Sequence, residues 1–420
     1  MTVSAHHGQA THDRTGAQEV GERERFRVRL RAAATVSLAG LLLAGCRAPA
    51  DEQVRGARAP DAASTVSRSS TGCVDGEFYW ERPGCRPASL VDVDEILSGG
   101  PPPDGIPPID APIFESTESA SSWLKDESPV MVVEDGGEIH AYPLAILTWH
   151  EIVNDRIGVV PVVVTYCPLC NSGLAFDRTV EGEVLDFGTS GRLYRSNLVM
   201  YDRQERNLWL QFTGTAVVGE RFLGRRLRRM PSSLLGFREL REIAPDARVL
   251  SRNTGHRRDY GRNPYLGYDT EHGEPFLYEG PRDTRLEPMT RVVGLGEHAP
   301  VAITLTRLRQ AQVVEIEVDG APIVVFWAPG QTSGLEGSSL DEGRDVGQTS
   351  AFRPSTPDGT RLRFQADGRG GFLDATGTTW DLLGRAVSGP LAGTRLDPVA
   401  HDDTFWFVWY AFRPQTTLQS

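Results

Sequence analysis

Residues 162–178, VVVTYCPLCNSGLAFDR, place Cys167 and Cys170 two residues apart at the end of an apolar run. Two thiolates at that spacing close a small chelate ring on a soft ion such as Zn(II) or Cu(I). The same pair can cycle between dithiol and disulfide, or staple a tight turn. His150, in AYPLAILTWHEIVND, is the nearest imidazole in the chain. On a helix it shares a face with Ile146, Trp149 and Val153, a setting that suits a core histidine as well as a ligand. Cys167, Cys170 and His150 together make three metal ligands. Met200, in LVMYDR, could serve as a soft fourth and would favour copper over zinc, although methionine more commonly packs a core. A thioredoxin-type site continues from C-x-x-C into a helix that lowers the thiol pKa. Here NSGLAFDR reads as turn and strand, which departs from that arrangement. Metal site, redox couple and structural disulfide all stay open.

An internal comparison selects the same residues. VVVTYCPLCNSGL (162–174) aligns with IVVFWAPGQTSGL (323–335). At that offset Leu144 falls on Leu305, Leu147 on Leu308, Pro161 on Pro322 and Pro168 on Pro329. Ser172, Gly173 and Leu174 fall on Ser333, Gly334 and Leu335. Further along, LDFGTSG (185–191) matches LRFQADG (362–368), LWLQFTGTAVVGERFLGRRL (208–227) matches TWDLLGRAVSGPLAGTRL (379–396), and FRELREIAP (237–245) matches WFVWYAFRP (406–414). Matches in the same order over such a length point to one unit built twice. Cys167, Cys170 and His150 become Ala328, Gln331 and Ala311. The apolar frame survives while the donors go, so chemistry is expected in the first unit and a degenerate copy in the second.

These residues must be held by local elements. Val130–Val133 and Glu138–Ala141 predict a hairpin around Asp135-Gly136-Gly137. Pro143 opens a helix expected over Leu144–Asn154. Val162–Thr165, unbroken by polar residues, predicts a strand buried on both faces. Strands are also expected at 173–177, 184–188, 198–201, 208–212 and 216–218, and a helix over Ser233–Ile243. The fold class expected is α+β and β-dominated, with two similar repeated lobes of two short helices each.

The chain ends carry signals of another kind. An arginine-rich segment (Arg23 to Arg31) precedes the apolar run AAATVSLAGLLLAG, too short to span a bilayer. LAGC, Leu43 to Cys46, is similar to a bacterial lipobox, which implies a lipid on Cys46, a membrane tether and an extracytoplasmic location. The boundaries read 1–45 signal peptide, 46–72 disordered tether, 73–113 Cys- and Pro-rich extended segment, 114–255 first unit, 256–290 connecting segment and 291–420 second unit. Of the five cysteines, Cys73 and Cys85 bracket a short loop and read as a disulfide in an oxidising compartment. The net charge of −12 gives no general attraction to nucleic acid. Protein partners are not legible.

Other motifs carry less. FGTSGRLYRSN (187–197) could cradle an anion but lacks the lysine and helix of a P-loop. RFLGRRLRRM (221–230) suits a solvated strand face. HRRDYGRNPY (256–265) reads as a polar linker. No G-x-S-x-G or H-E-x-x-H occurs.

GIPPIDAPIF, AYPLAILTWHEIVND, VVVTYCPLCNSGLAFDR, LDFGTSGRLYRSNLVMYDR, LWLQFTG and RDYGRNPY together resemble a bacterial family catalogued as domain of unknown function 3179. The resemblance implies that His150, Cys167, Cys170, Met200, Tyr201 and Asp202 belong to the family pattern. It brings no reaction, so a soft-metal protein, a thiol–disulfide oxidoreductase and a non-catalytic binding or structural module are all compatible with it.

Overall fold

The alternation of β-branched residues with Gly- and Asp-centred turns is realised as short antiparallel strands. Among the described residues strands outweigh helices by 41% to 11%, and the five α-helices are short. The computed structural model describes residue 80 and residues 87–420, apart from 271 and 369. Cys46, Cys73 and Cys85, with the signal and tether expected before them, lie outside the described residues. Among the described residues no helix is long and apolar enough to cross a membrane.

The expected hairpin forms from Pro129–Asp135 and Glu138–Pro143. The helix after it spans Leu144–His150 and stops four residues earlier than predicted, against the expectation of Asn154. Glu151 turns left-handed at φ 58°, and its N–H closes the helix on the Leu147 carbonyl at 2.7 Å. The β-branched pair Ile152 and Val153 then starts a strand, Ile152–Ile157, which pairs with Val160–Cys167. Tertiary pairing here overrides the helical spacing of Ile146, Trp149 and Val153. Likewise, the start of the helix expected at Ser233 is strand, Ser232–Gly236, and the helix itself is Phe237–Ile243.

A matching series of elements follows in the second half. Arg291–Leu295 and Val301–Thr304 pair as a hairpin, then come helix Leu305–Ala311, left-handed Gln312 (φ 59°), and strands Val313–Val318 and Ala321–Ala328. The Tyr166 and Trp327 amides donate to the Glu151 and Gln312 carbonyls, each at 2.8 Å. Helix Phe237–Ile243 leads to a strand parallel to Glu138–Pro143, and helix Trp406–Phe412 leads to one parallel to Val301–Thr304.

The alignment fails after Pro168. Residues 168–171 make a tight turn, and Cys167 faces Ser172 across it. Residues 329–347 instead form a long excursion before Gln348 returns opposite Ala328. Ser172 therefore occupies the register of Gln348, and its expected equivalence with Ser333, like those of Gly173 with Gly334 and Leu174 with Leu335, is corrected. Cys170 has no true counterpart in Gln331.

The halves interlock. One sheet joins Val313–Val318, Ala321–Ala328 and Gln348–Arg353 to Ser232–Gly236 and Pro129–Asp135. Around the cysteines, Ile152, Val163, Leu174, Met200, Trp209, Phe405, Trp406 and Trp409 form a continuous apolar core drawn from both halves.

Candidate functional site

Cys167 ends its strand and Cys170 lies in the turn. The Cys170 N–H donates to the Cys167 carbonyl at 3.1 Å, Asn171 N–H donates to Pro168 O at 3.2 Å, and Asn171 takes the left-handed conformation (φ 50°) that closes the hairpin. This geometry turns both side chains inward. Both cysteines are free thiols, fully buried, with sulfurs 3.1 Å apart. The second half fixes the turn from behind: Phe405 N–H (3.1 Å) and Thr404 Oγ1 (2.9 Å) donate to the Cys170 carbonyl.

A second hairpin tip closes the opposite side. Phe187–Tyr194 and Asn197–Asp202 are joined by Arg195 and Ser196, both at positive φ (51° and 63°), the tight two-residue turn that matches strand twist. The Ser196 carbonyl lies 3.5 Å from Cys170 Sγ and 3.9 Å from Cys167 Sγ. Asn197 Nδ2 donates to Cys170 Sγ at 3.3 Å, and its amide is held by Gln211 and by the Phe212 N–H. Burial, then the adjacent Cys167, push the Cys170 thiol well above its ordinary pKa, and the Asn197 donor acts the other way. The hydroxyl of Ser172 is buried without a hydrogen-bond partner.

The connecting segment, read from sequence as a linker, covers this site. Tyr268 donates its hydroxyl to the Leu169 carbonyl at 3.1 Å. Tyr260 meets His150 at 2.6 Å. The excursion 329–347 ties the segment down, through Asn263 to Gly337 and Ser338, Asp269 to Leu335, and Leu340 to Gly261. Asp269 is further held by Arg291, Arg344 and Ser333, at 2.9, 2.9 and 2.6 Å.

The ligand set expected from sequence is brought together only in part. Cys167 and Cys170 meet, and Met200 lies in the same buried cluster. His150 does not join them. Its Nδ1 donates to the Pro107 carbonyl at 2.6 Å, which fixes the tautomer, and its Nε2 accepts the Tyr260 hydroxyl. Tyr260 in turn accepts from Thr254 Oγ1 at 2.5 Å. Burial lowers the His150 pKa to about 4, so the ring is neutral and fully engaged. Among the described residues no group of three His, Cys, Asp or Glu side chains is arranged around a common point. The placement of His150 has a plain cause: the helix ends at residue 150, and the ring points back to Pro107 and out to Tyr260.

Glu151 is the residue that sequence reasoning missed. It is buried, no cation pairs with it among the described residues, and burial raises its pKa to about 8. The comparison that singled out His150 would have found it one position on, where Gln312 replaces the acid. Asp202 has a different role. Its carboxylate accepts from the Glu205, Arg206 and Asn207 amides and from Trp209 Nε1 at 2.8 Å, and Asp374 does the same for Thr376, Thr378 and Trp380 Nε1 at 2.9 Å. Both are loop clasps. FGTSGRLYRSN is a bulged strand and hairpin tip, with Ser190 Oγ bonded to Val199 O and Arg192 N–H.

Residues 103–416 match the family described as Protein of unknown function (DUF3179). The chain belongs to that family. It matches no curated protein and no solved structure. The matched span includes both halves and every residue of the site, so the CPLC turn, its cover and the excursion that ties the cover down are parts of one family domain.

Proposed function

We propose that this DUF3179 domain carries a buried thiol–disulfide couple at Cys167 and Cys170. The observation that carries the reading is the pair of free sulfurs in contact at 3.1 Å on a fixed turn, with the third donor expected for a metal engaged elsewhere. Oxidation by a disulfide, of a small molecule or a partner protein, balances as follows. One cysteine attacks the incoming disulfide and releases the first thiol. The second attacks the mixed disulfide and releases the second thiol. The product is a Cys167–Cys170 bond, and two electrons and two protons pass to the two released thiols. Burial, which holds the Cys170 thiol well above its ordinary pKa, keeps the pair slow to react, and half-buried Leu169 and Tyr268 form the cover that must move for exchange.

The matching element series supports a duplicated unit whose second copy gave up the chemistry, lengthened its turn and now clamps the connecting segment over the first. The basic leader and LAGC support export and a lipid on Cys46, with the domain facing an oxidising compartment. Loss of membrane association in Cys46→Ala tests that part.

For the couple, full-length protein is equilibrated in buffers of graded dithiol/disulfide ratio, alkylated, and mapped by mass spectrometry to the peptide holding residues 167–170. Reversible conversion between the two states, abolished by Cys167→Ser or Cys170→Ser, is expected. A pair locked in one state throughout, or stoichiometric copper or zinc that follows the two cysteines, would overturn the redox reading, the second in favour of a metal site.

A further inference from the structure

We infer that His140, clasped as an imidazolium between Asp155 and Glu138, is a pH-operated clip that fastens the edge strand of the cysteine sheet to the neighbouring hairpin. His140 lies in strand Glu138–Pro143. Asp155 lies in Ile152–Ile157, the outermost strand of the sheet that holds Val160–Cys167, and the two strands belong to different sheets. The His140 ring is fully buried, with Nδ1 2.7 Å from Asp155 Oδ2 and Nε2 2.9 Å from Glu138 Oε1. Asp155 Oδ2 also accepts the Tyr142 hydroxyl at 2.6 Å, and the Glu138 carboxylate also accepts from Arg248 and from Gly158 N–H, each at 3.1 Å. Both partners of the ring are therefore acceptors, so each ring nitrogen carries a proton. Gly158 closes the turn just after the edge strand, so Glu138 grips that strand at a second point.

The sister half shows that the fold does not need this cluster. Strand for strand, His140, Tyr142 and Asp155 fall on Val301, Ile303 and Ile316. Arg248, opposite His140, falls on Thr417, opposite Val301. Val301 and Ile303 are buried, and half-buried Ile316 packs with them in one aliphatic cluster. One half fills this place with aliphatic packing; the other fills it with charged groups that are costly to desolvate. The groups facing the ring are Glu138 and Tyr142 from its own strand, Asp155 from the edge strand, and Arg248 through Glu138. Phe114 covers the ring at 4.4 Å and carries the Arg248 guanidinium at 5.0 Å. The hydrogen bond from His140, then Arg248, holds the Glu138 carboxyl below its ordinary pKa, which keeps the clip charged on the acid side. The folded arrangement binds the ring proton, so the clip is closed at lower pH and opens as rising pH removes that proton. One ring N–H then faces two carboxylates, and one of them is left without its partner.

The test is deuterium exchange in full-length protein, read by mass spectrometry of peptides covering 152–157, from about pH 5 to about pH 9. Rates are corrected for intrinsic amide exchange, and peptides covering the sister strand 313–318 serve as the internal reference. In wild type, protection of 152–157 relative to 313–318 is expected to drop roughly 10- to 100-fold as pH rises. The triple variant H140V/Y142I/D155I, which copies the sister half, is expected to fold and to lose that step. His140→Gln, which cannot gain or lose the proton, should lose it as well. Both variants keep Glu151, so its own titration cancels in the comparison. A wild-type ratio that holds steady across the range, or the same step in His140→Gln or the triple variant, would overturn the inference. None of these readouts depends on the redox state of the cysteines.

Discussion

At the scale of single residues, the site mixes groups that stabilise with one that does not. Glu151 has a folded pKa of about 8 against an ordinary value near 4.5. The folded state therefore holds a proton that the unfolded chain releases, and stability is full below pH 4.5 and falls as pH rises toward 8. The loss amounts to at most roughly 5 kcal/mol. Glu151→Gln should raise the midpoint of urea unfolding above pH 8 while leaving it nearly unchanged in acid. A variant no more stable than wild type at alkaline pH would mean the carboxyl is not buried as described. His150 runs the other way. Its pKa falls from 6.5 to about 4, so the fold loses stability as pH drops through that window. His150→Gln should flatten that acid limb without changing the redox behaviour of the cysteines. Asp202, fully buried with backbone donors and Trp209 on its carboxylate, should cost about 3–5 kcal/mol when changed to Ala, since the donors are left unpaired. Chemical denaturation reads that out, and the thiol couple should be unaffected.

At the scale of elements, turns do the positioning. The bulge at Gly191 (φ 71°) brings its backbone so close to the Pro-rich segment that a Cβ there would lie 1.9 Å from the Pro101 carbonyl. Gly191→Ala should destabilise by about 2–4 kcal/mol and increase proteolysis of residues 99–105; unchanged stability would refute the close approach. Much at this scale was legible. The hairpin at Asp135-Gly136-Gly137 and the buried strand ending at Cys167 each follow from patterns local in sequence. The helix running past His150 was not, because Ile146, Trp149 and Val153 fit both a helix and a strand, and only pairing with Val160–Cys167 decides between them. The excursion 329–347 was hidden for a related reason. Ser333-Gly334-Leu335 repeats Ser172-Gly173-Leu174 by letter, but register is set by strand pairing, which resumes only at Gln348. The engagement of His150 with Pro107 and Tyr260 has the same origin, since a ring's direction depends on where its helix stops.

At the scale of the whole molecule, the two halves have divided the labour. The first holds the sulfurs, and the second supplies Thr404 and Phe405 behind the turn and clamps the cover through Asn263, Asp269 and Leu340. The Arg291–Asp269 pair is the more buried of the two ion pairs in that clamp, with Arg291 and Asp269 both largely out of solvent. Arg291→Met should loosen the cover and speed alkylation of Cys167 in native protein, because the buried Asp269 would lose its buried cation and keep only the half-exposed Arg344 and Ser333. Unaltered protection would show that the cover is held elsewhere. The central claim is that Cys167 and Cys170 interconvert between two thiols and one bond within the folded domain. The most direct measurement is the mass of the 167–170 peptide from native protein after oxidation and again after re-reduction. The account predicts loss of two hydrogens and their full return. A peptide that keeps its thiols under every oxidant, or that never regains them, would contradict it.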